Sequence, residues 1–401
     1  MSHQPLQQSV DPRDVLAIDA LLSDEERLLR DTVRQLVTDK ILPDVGEWFD
    51  QGIFPREMAK EFGALGLLGM HLDGYGCAGT SATAYGLACL ELEAGDSGAR
   101  SFVSVQGSLA MFPIWAFGSE QQKQRWLPGM AAGDLIGCFG LTEPDSGSDP
   151  SSMRTTARTD ASGDWILDGA KMWITNGSIA DVAVVWARTD PDGPDRGAVR
   201  GFVVPTDTAG FSAPEIHRKV SLRASVTSEL VLDGVRLAAD AVLPDVSGMR
   251  GPLSCLNEAR FGISFGACGA ARACYEAALD YSLERRQFDR PIASFQLTQR
   301  KLVDMMVKVQ RGTLVALHLG RMKDAGTLAT PQVSFAKMDN VRMALEVARE
   351  ARSVLGANGI TTEYPVIRHM NNLESVFTYE GTNEIHTLIL GNAITGIPAF
   401  E

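Results

Sequence analysis

The spacing of the apolar residues changes twice along the chain. From Ser23 to about residue 135 it is helical, and the first helix is predicted in SDEERLLRDTVRQLV. Ser23 and Glu26 have the spacing of a capping box, in which each side chain bonds the other residue's backbone N–H. One apolar face of this helix is predicted to contain Leu28, Leu29, Val33, Leu36 and Val37. The amino-terminal part of the chain is therefore predicted to be a helical unit.

Short β-rich runs replace this pattern between about residues 139 and 245. They are WILDGAKMWITNG, VAVVWART, VRGFVVPTD and SELVLDGVRL, and the Asp-Gly pairs at 168 and 233 predict tight turns. From about residue 253 helical spacing returns, in ARACYEAALDYSLERR and LTQRKLVDMMVKVQRGTLVALHLGRMK. This order predicts a mainly helical α+β protein, with a helical unit at 1–136, a β unit at 137–248 and a second helical unit at 249–401.

Composition and charge exclude several classes of function. The 401 residues are 45% hydrophobic and 22% charged, and their net charge is -13, so no basic surplus exists to neutralise the phosphates of a nucleic acid. The start, MSHQPLQQSVDPRD, is polar, and no run of 18 apolar residues suggests membrane insertion. These features predict a cytoplasmic protein that does not bind nucleic acid.

Metal and dinucleotide motifs are weak in this sequence. The six cysteines form no CxxC pair and the six histidines no HExxH motif, so we expect neither a disulfide nor a metal site. Cys268 and Cys274 lie in a Gly/Ala-rich helical stretch and are expected to be buried. GYGCAG at 74–79 satisfies GxGxxG, but LGLLGMHLD before it is a poor strand. We therefore interpret this motif as a loop before a helix.

The segment CFGLTEPDSGSDPSSM at 138–153 is rich in residues that leave backbone N–H groups and hydroxyls free to bind a polar ligand. Together with KMWITNG, ERRQFDRPIASFQ, LGANGI and TYEGTNEIH, it resembles the acyl-CoA dehydrogenase family of flavoproteins. The resemblance spans nearly the whole chain and is greatest to the glutaryl-CoA dehydrogenase branch. It implies an amino-terminal helical domain, a middle β domain, a carboxy-terminal four-helix bundle and a homotetramer. It also implies FAD, an acyl-CoA substrate and an electron-transferring flavoprotein as partner.

The resemblance places FAD contacts in four segments. The loop and strand expected at the flavin ring contain Phe139, Leu141, Thr142, Gly147, Ser148, Trp173, Ile174 and Thr175. Contacts from a neighbouring subunit to the adenine-diphosphate half are expected from Arg285, Gln287, Phe288 and Gln296, with a partner loop of Ser353, Val354, Leu355, Gly356 and Ala357. Thr382, Asn383 and Glu384 match positions near the flavin phosphates. Asp289 and Ala357 stand where glycine is usual; because Asp tolerates left-handed backbone geometry, we expect the turn at Asp289 to be retained.

Substrate contacts follow from the same resemblance. Ser148, Leu253, Asn257 and Arg260 match the CoA channel, and Tyr379 and Gly381 flank the reacting centre. Burying the second carboxylate of a dicarboxylic acyl group without a cation is costly. In the ELEAGDSGARSFVS segment the resemblance assigns this carboxylate to Glu93, Arg100, Ser101 and Ser104. Arg100 and Ser104 share one helical face if the helix persists past Gly98.

Glu380 in TYEGTNEIH is the predicted catalytic base. A Glu-Gly pair before a helix is more often a solvated turn, but the α-hydrogen of a thioester is weakly acidic and its removal requires a carboxylate in a dry site. The implied reaction is FAD-dependent α,β-dehydrogenation of a short dicarboxylic acyl-CoA, foremost glutaryl-CoA, with decarboxylation to crotonyl-CoA. The alternatives are a dehydrogenase that does not decarboxylate, a dehydrogenase or oxidase of another short acyl-CoA or acyl-carrier-protein thioester, and a flavin-binding protein without turnover.

Overall fold

Helices form the amino-terminal part of the protein, as the apolar spacing predicts. In the computed structural model, which describes residues 10–189 and 198–399, they are α1 (Asp24–Leu36), α2 (Val45–Gln51), α3 (Met58–Ala64), α4 (Ala82–Gly95), α5 (Ser97–Ser104), α6 (Phe112–Phe117) and α7 (Glu120–Ala131). The capping box is confirmed, since Ser23 Oγ accepts from the Glu26 N–H at 3.2 Å and Glu26 Oε2 from the Ser23 N–H at 2.9 Å. Leu28 was wrongly predicted on the apolar face: it is 70% exposed, because it lies about 100° around the helix from Leu29.

The middle of the chain is a seven-stranded sheet. Its strands are β1 (Gly137–Gly140), β2 (Thr156–Thr159), β3 (Trp165–Thr175), β4 (Val182–Thr189), β5 (Val199–Pro205), β6 (Phe211–Ser212) and β7 (Thr227–Leu237). The order is β1-β4-β2-β3-β7-β6, and β5 pairs with β4. The four β-rich runs of the sequence are thus strands, and buried apolar side chains from all four pack together in one hydrophobic core.

The two Asp-Gly pairs do not form the predicted turns. Both lie inside long strands, Asp168-Gly169 in β3 and Asp233-Gly234 in β7, where the register of the two strands shifts. Gly234 has a φ of 60°, and its N–H donates to Asp168 Oδ1 at 2.8 Å across the irregularity. The left-handed glycine is used by a β-bulge, which requires the same backbone freedom as a hairpin turn.

The carboxy-terminal part is again helical. It contains α8 (Arg250–Glu284), α9 (Gln296–Asp324), α10 (Thr330–Leu355), α11 (Pro365–Thr378) and α12 (Asn383–Thr395), with a hairpin of β8 (Arg286–Gln287) and β9 (Arg290–Pro291) after α8. Helix α10 packs against α8, α9 and α11, as predicted for a bundle, and α4 packs against α8. Cys268 and Cys274 are buried in α8. None of the helices in the described ranges is long and apolar enough to cross a membrane.

The GYGCAG motif belongs to the turns that precede α4. Residues 69–80 form turns and a coil, and Ser81 caps α4 by accepting from the Ala84 N–H at 3.1 Å. The interpretation of this motif as a loop before a helix is confirmed.

Gly269 lets α8 approach α4 closely, which gives a test of the fold. A Cβ at this position would lie 1.9 Å from the Leu90 carbonyl oxygen of α4, so we expect Gly269→Ala to destabilise the protein by about 1–3 kcal/mol or more. Gly391→Ala in α12 is the matched control, because no atom lies within 4 Å of the added methyl group and alanine favours a helix by about 1 kcal/mol. Urea unfolding measures both variants, and equal midpoints would contradict the packing.

Candidate active site

Glu380 lies in the turn between α11 and α12. Helix α12 begins where the Thr382 hydroxyl accepts from the Ile385 N–H at 3.2 Å. Glu380 has a φ of 52° and Gly381 a φ of 98°, so two consecutive residues have left-handed backbone. A Cβ on residue 381 would lie 2.8 Å from His386 Nε2, which explains why glycine follows the glutamate. The Glu-Gly pair therefore directs the carboxyl group inward, and the solvated-turn interpretation fails.

The Glu380 carboxyl group has the environment of a base. Its Oε2 atom is buried and has no hydrogen-bond partner among the described residues. Burial raises the pKa of Glu380 above its ordinary value, while the positive charges of Arg100, Arg260 and Lys337 act in the opposite direction. A carboxylate with a raised pKa is a stronger proton acceptor near neutral pH. The structure thus provides an unbonded oxygen that can accept a proton.

Arg100 lies next to this turn, on α5. Helix α4 ends at Gly95, and α5 begins at Ser97, where Asp96 Oδ1 caps it by accepting from the Gly98 N–H at 2.6 Å. Arg100 and Ser104 therefore lie four positions apart on one helix, so the condition for a shared face is met. The Arg100 guanidinium is 1% exposed; its Nε donates to Glu93 Oε2 at 2.6 Å, and its Nη2 donates to the Tyr379 hydroxyl. Although burial alone lowers it, the Glu93 carboxylate raises the pKa of Arg100 further above its usual value. A permanent cation is therefore fixed beside the residue that precedes Glu380.

Two serines complete this part of the site. Ser101 Oγ lies 3.4 Å from the Tyr379 hydroxyl oxygen. The Ser104 hydroxyl is buried and has no well-aligned hydrogen bond among the described residues. The four positions that the sequence assigned to a second carboxylate are thus brought together on α4 and α5.

The predicted CoA-channel residues of α8 lie four and three positions apart, on one face of the helix. Leu253 is exposed, Asn257 is half-buried, and Arg260 is buried. Arg260 Nε donates to the Glu380 carbonyl oxygen at 2.6 Å, so it contacts the backbone of the predicted base. The Asn257 Oδ1 atom is buried and lacks a partner in the described part of the chain. This face leads from the surface toward Glu380.

A buried Lys–Glu ion pair, which the sequence analysis missed, supports the loop expected at the flavin. Lys171 of β3 donates to the Leu141 carbonyl oxygen at 3.1 Å and to Glu143 Oε1 at 2.8 Å. Glu143 also accepts from two backbone N–H groups farther along the same loop, at 154 and 155. Phe139 and Leu141 are buried, whereas Gly147 and Ser148 are exposed. A lysine inside a β-rich run is the signal that could have revealed this support.

Trp173 lies at an irregularity of strand β3. The register with β7 shifts between Lys171 and Ile174, Trp173 has a φ of 63°, and its side chain is 59% exposed. The loop lies alongside, because the Met172 N–H donates to the Thr142 carbonyl oxygen at 2.8 Å. Ile174 points into the core and Thr175 is partly buried. An exposed tryptophan beside a polar loop suits a flat aromatic cofactor such as FAD.

The segment after α8 forms the hairpin of β8 and β9. Phe288 and Asp289 have φ values of 51° and 62°, which is the geometry of a two-residue type I′ turn. The predicted left-handed turn at Asp289 is confirmed. Phe288 is 88% exposed, and Arg285, Gln287 and Gln296 are exposed as well.

The predicted partner loop ends α10 and begins the turn Gly356–Ile360. The Ser353 hydroxyl accepts from Lys301 Nζ at 2.6 Å, Val354 is partly buried, and Leu355 is buried. Gly356 and Ala357 are exposed. Asn383 and Glu384 begin α12, where Asn383 Oδ1 accepts from Arg342 Nη2 at 3.3 Å.

Among the predicted substrate residues, Arg100, Ser101 and Arg260 form hydrogen bonds directly to Glu380 or Tyr379, and Glu93 is linked through Arg100. Two buried residues at this centre were not predicted, Lys337 and His386. Burial lowers the pKa of His386 to about 3, so its ring is neutral. Lys337 occupies an apolar position of α10 between Ala336 and Val341, and a lysine at such a position is the signal that sequence reasoning could have used.

Comparison with known proteins defines the class. The N-terminal, middle and C-terminal acyl-CoA dehydrogenase domains match residues 23–134, 138–235 and 247–395. The chain belongs to the acyl-CoA dehydrogenase family, whose members are FAD-dependent, and the predicted family and mainly helical α+β fold are confirmed.

Two crystal structures of glutaryl-CoA dehydrogenase from Mycobacterium smegmatis are similar over nearly the whole chain. They are 61% and 66% identical, each with a TM-score of 0.94 over 97% of this chain and 99% of that one, and the first is a complex with FADH2. The human mitochondrial short-chain specific acyl-CoA dehydrogenase is 33% identical, covering 92% of this chain and 90% of its own.

Proposed function

We propose that this acyl-CoA dehydrogenase oxidises a short dicarboxylic acyl-CoA, foremost glutaryl-CoA, and that the product decarboxylates to crotonyl-CoA. The observation that carries the substrate class is the buried Arg100 guanidinium, held beside the turn that bears Glu380. The similarity to glutaryl-CoA dehydrogenase supports the same substrate.

Glu380 is the proposed base. Its unbonded Oε2 accepts the α-proton of the thioester, and the electron pair of the broken C–H bond forms the α,β double bond as the β-hydrogen leaves. When bound, FAD supplies the acceptor for that hydride. Gly381 permits close approach of the acyl chain, and Tyr379 separates Glu380 from the surrounding water.

Arg100 is the proposed partner of the far carboxylate. A guanidinium has five N–H donors, and the bonds to Glu93 and Tyr379 use two of them. The others remain for the second carboxylate of the substrate, and Ser101 and Ser104 offer hydroxyls on the same helix. Arg100 already pairs with Glu93, so an acyl chain without a far carboxylate would leave the remaining N–H donors of this buried guanidinium without acceptors, which favours the dicarboxylate.

The proposed FAD site combines two subunits. The flavin ring would be held by Phe139, Leu141, Thr142, Gly147, Ser148 and the β3 segment from Trp173 to Thr175, and the phosphates would lie near residues 382–384. Arg285 directly follows the end of α8, 25 positions after Arg260, hence about 37 Å farther along the helix axis. A hairpin so far from Glu380 suits a contact with the FAD of a neighbouring subunit, along with residues 353–357.

We therefore propose a homotetramer. We also propose an electron-transferring flavoprotein as the electron acceptor. The cytoplasmic location stays a prediction.

An anaerobic titration tests the proposed function. Purified FAD-loaded protein is mixed with glutaryl-CoA, butyryl-CoA and longer acyl-CoAs, and bleaching of the flavin absorbance is followed. We expect glutaryl-CoA to bleach the flavin fastest and at the lowest concentration. Faster bleaching by a monocarboxylic acyl-CoA would contradict the substrate class, and no bleaching by any of them would contradict turnover.

Product analysis separates the remaining alternatives. Crotonyl-CoA with carbon dioxide is expected, whereas accumulation of glutaconyl-CoA would show that the enzyme stops after oxidation. Oxygen consumption without an added electron acceptor would identify an oxidase and contradict the proposed flavoprotein partner.

A further inference from the structure

Three consecutive backbone carbonyls around Glu380 accept hydrogen bonds from two buried cations. Lys337 Nζ donates to the Tyr379 oxygen at 3.0 Å and to the Gly381 oxygen at 2.8 Å. Arg260 Nε donates to the oxygen between them, that of Glu380, at 2.6 Å. The donors come from α10 and α8, so two helices of the bundle fix one short turn.

This turn needs support because its backbone is strained. A non-glycine residue with left-handed φ, such as Glu380, persists only where surrounding contacts determine it. Without the three hydrogen bonds, the carbonyls at 379–381 would lose the donors of Lys337 and Arg260. The contacts of Lys337 and Arg260 therefore fix the direction in which the Glu380 side chain leaves the backbone.

Lys337 also contributes charge. It is 1% exposed and makes no ion pair with a carboxylate among the residues described, so its hydrogen bonds go to carbonyl oxygens and its charge is not neutralised by contact. The groups that face it are Glu380 and Tyr379 from the turn, Arg260 from α8, Arg100 from α5 and His386 from α12. Burial lowers the pKa of Lys337 to about 7, although the Glu380 carboxylate opposes this shift.

We propose that Lys337 is a positioning residue for the dehydrogenation, which holds the turn 379–381 in its reactive geometry and stabilises the ionised form of Glu380. This inference rests on the proposed role of Glu380 as base. Lys337 acts through the backbone and the electric field, not by contact with the substrate. Its removal should therefore affect kcat far more than KM.

Two variants separate the charge from the hydrogen bonds. Lys337→Met removes the charge and the hydrogen-bond donor with little change of volume. Lys337→Gln removes the charge but keeps a nitrogen that can donate hydrogen bonds. Stopped-flow flavin reduction by the substrate, measured from pH 5 to 9, should be slower by about 100-fold in Lys337→Met and less so in Lys337→Gln. In both variants the acid limb of the pH profile should move upward by about one pH unit, because the lost cation no longer favours the carboxylate. FAD content and KM should stay near wild type.

The controls are Lys308→Met and Glu380→Gln. Lys308 forms an ion pair with Glu346 at 2.7 Å between α9 and α10, and its removal should change neither the rate nor the acid limb. If Glu380→Gln is inactive while Lys337→Met keeps the wild-type rate and acid limb, the proposed role of Lys337 is wrong. The proposed role of Glu380 is not contradicted by that result. An active Glu380→Gln would contradict the base itself. If both Lys337 variants lost FAD or rose in KM as much as they fell in kcat, Lys337 would be a structural residue and the proposal would be wrong.

Discussion

Glu380→Gln should keep its FAD and lose most of its activity, with flavin reduction slower by about 10²–10⁴-fold. The amide preserves the size of the side chain and can still occupy the buried position beside Tyr379. It cannot accept the α-proton, and residues 379–381 contain no second carboxylate. The measurement is the rate of anaerobic flavin bleaching by the same acyl-CoA in variant and wild type.

Glu374→Gln is the matched control. This glutamate lies on α11, six positions before Glu380, but it is exposed and pairs with Arg349 at 2.9 Å. Its loss should leave flavin reduction unchanged. Wild-type reduction in Glu380→Gln would show that the carboxyl group only stabilises the turn, and the proton would then need another acceptor.

Much of the fold could be predicted because its signals are local. The capping box of Ser23 and Glu26, the four β-rich runs and the long helices after residue 253 depend on residues close in sequence. The predictions that failed were also local. The Asp-Gly pairs have the composition of a turn, but the sheet uses them in a β-bulge between β3 and β7, and only the pairing of distant strands decides between these uses.

The candidate active site shows the same contrast between features that nearby residues determine and features that depend on distant contacts. Glu93 and Arg100 are seven residues apart on neighbouring helices, and their segment carried a recognisable pattern. The supports of Glu380 could not be found in this way, since Arg260 is 120 residues and Lys337 more than 40 residues from the carbonyls they bind. Arg260 was predicted as a CoA-channel residue, and that role stays a prediction, but its contact with Glu380 follows only from the packing of α8 against the turn.

The charges at the site are consistent with the proposed role of Glu380, because they oppose the effect of burial on its carboxyl group. Burial raises the pKa of Glu380 and so favours its protonated form, whereas Arg100, Arg260 and Lys337 favour the ionised form. Glu93 neutralises part of the charge of Arg100 by direct contact. A substrate that adds another carboxylate therefore enters a cluster with an excess of positive charge.

Arg100→Met should reduce kcat/KM for glutaryl-CoA about 30-fold to several-thousand-fold more than kcat/KM for butyryl-CoA, and the preference between them can reverse. Removing the guanidinium leaves the far carboxylate of glutaryl-CoA desolvated and unpaired, which costs about 2–5 kcal/mol. Butyryl-CoA has no such group. Arg100 also favours the ionised form of Glu380, but that effect acts on both substrates and cancels in the ratio of the two kcat/KM values.

The variant must be paired with a second one, because Arg100→Met leaves Glu93 buried without its partner and a broken buried pair costs about 3–5 kcal/mol of stability. The double variant Glu93→Gln/Arg100→Met removes both members of the ion pair, so neither charge is left buried without the other. We expect it to fold more stably than Arg100→Met and to retain the loss of preference for glutaryl-CoA, because the cation is still absent. Equal losses on the two substrates in both variants would limit Arg100 to packing and to the pKa of Glu380, and the dicarboxylic substrate would have to be abandoned for another short acyl thioester.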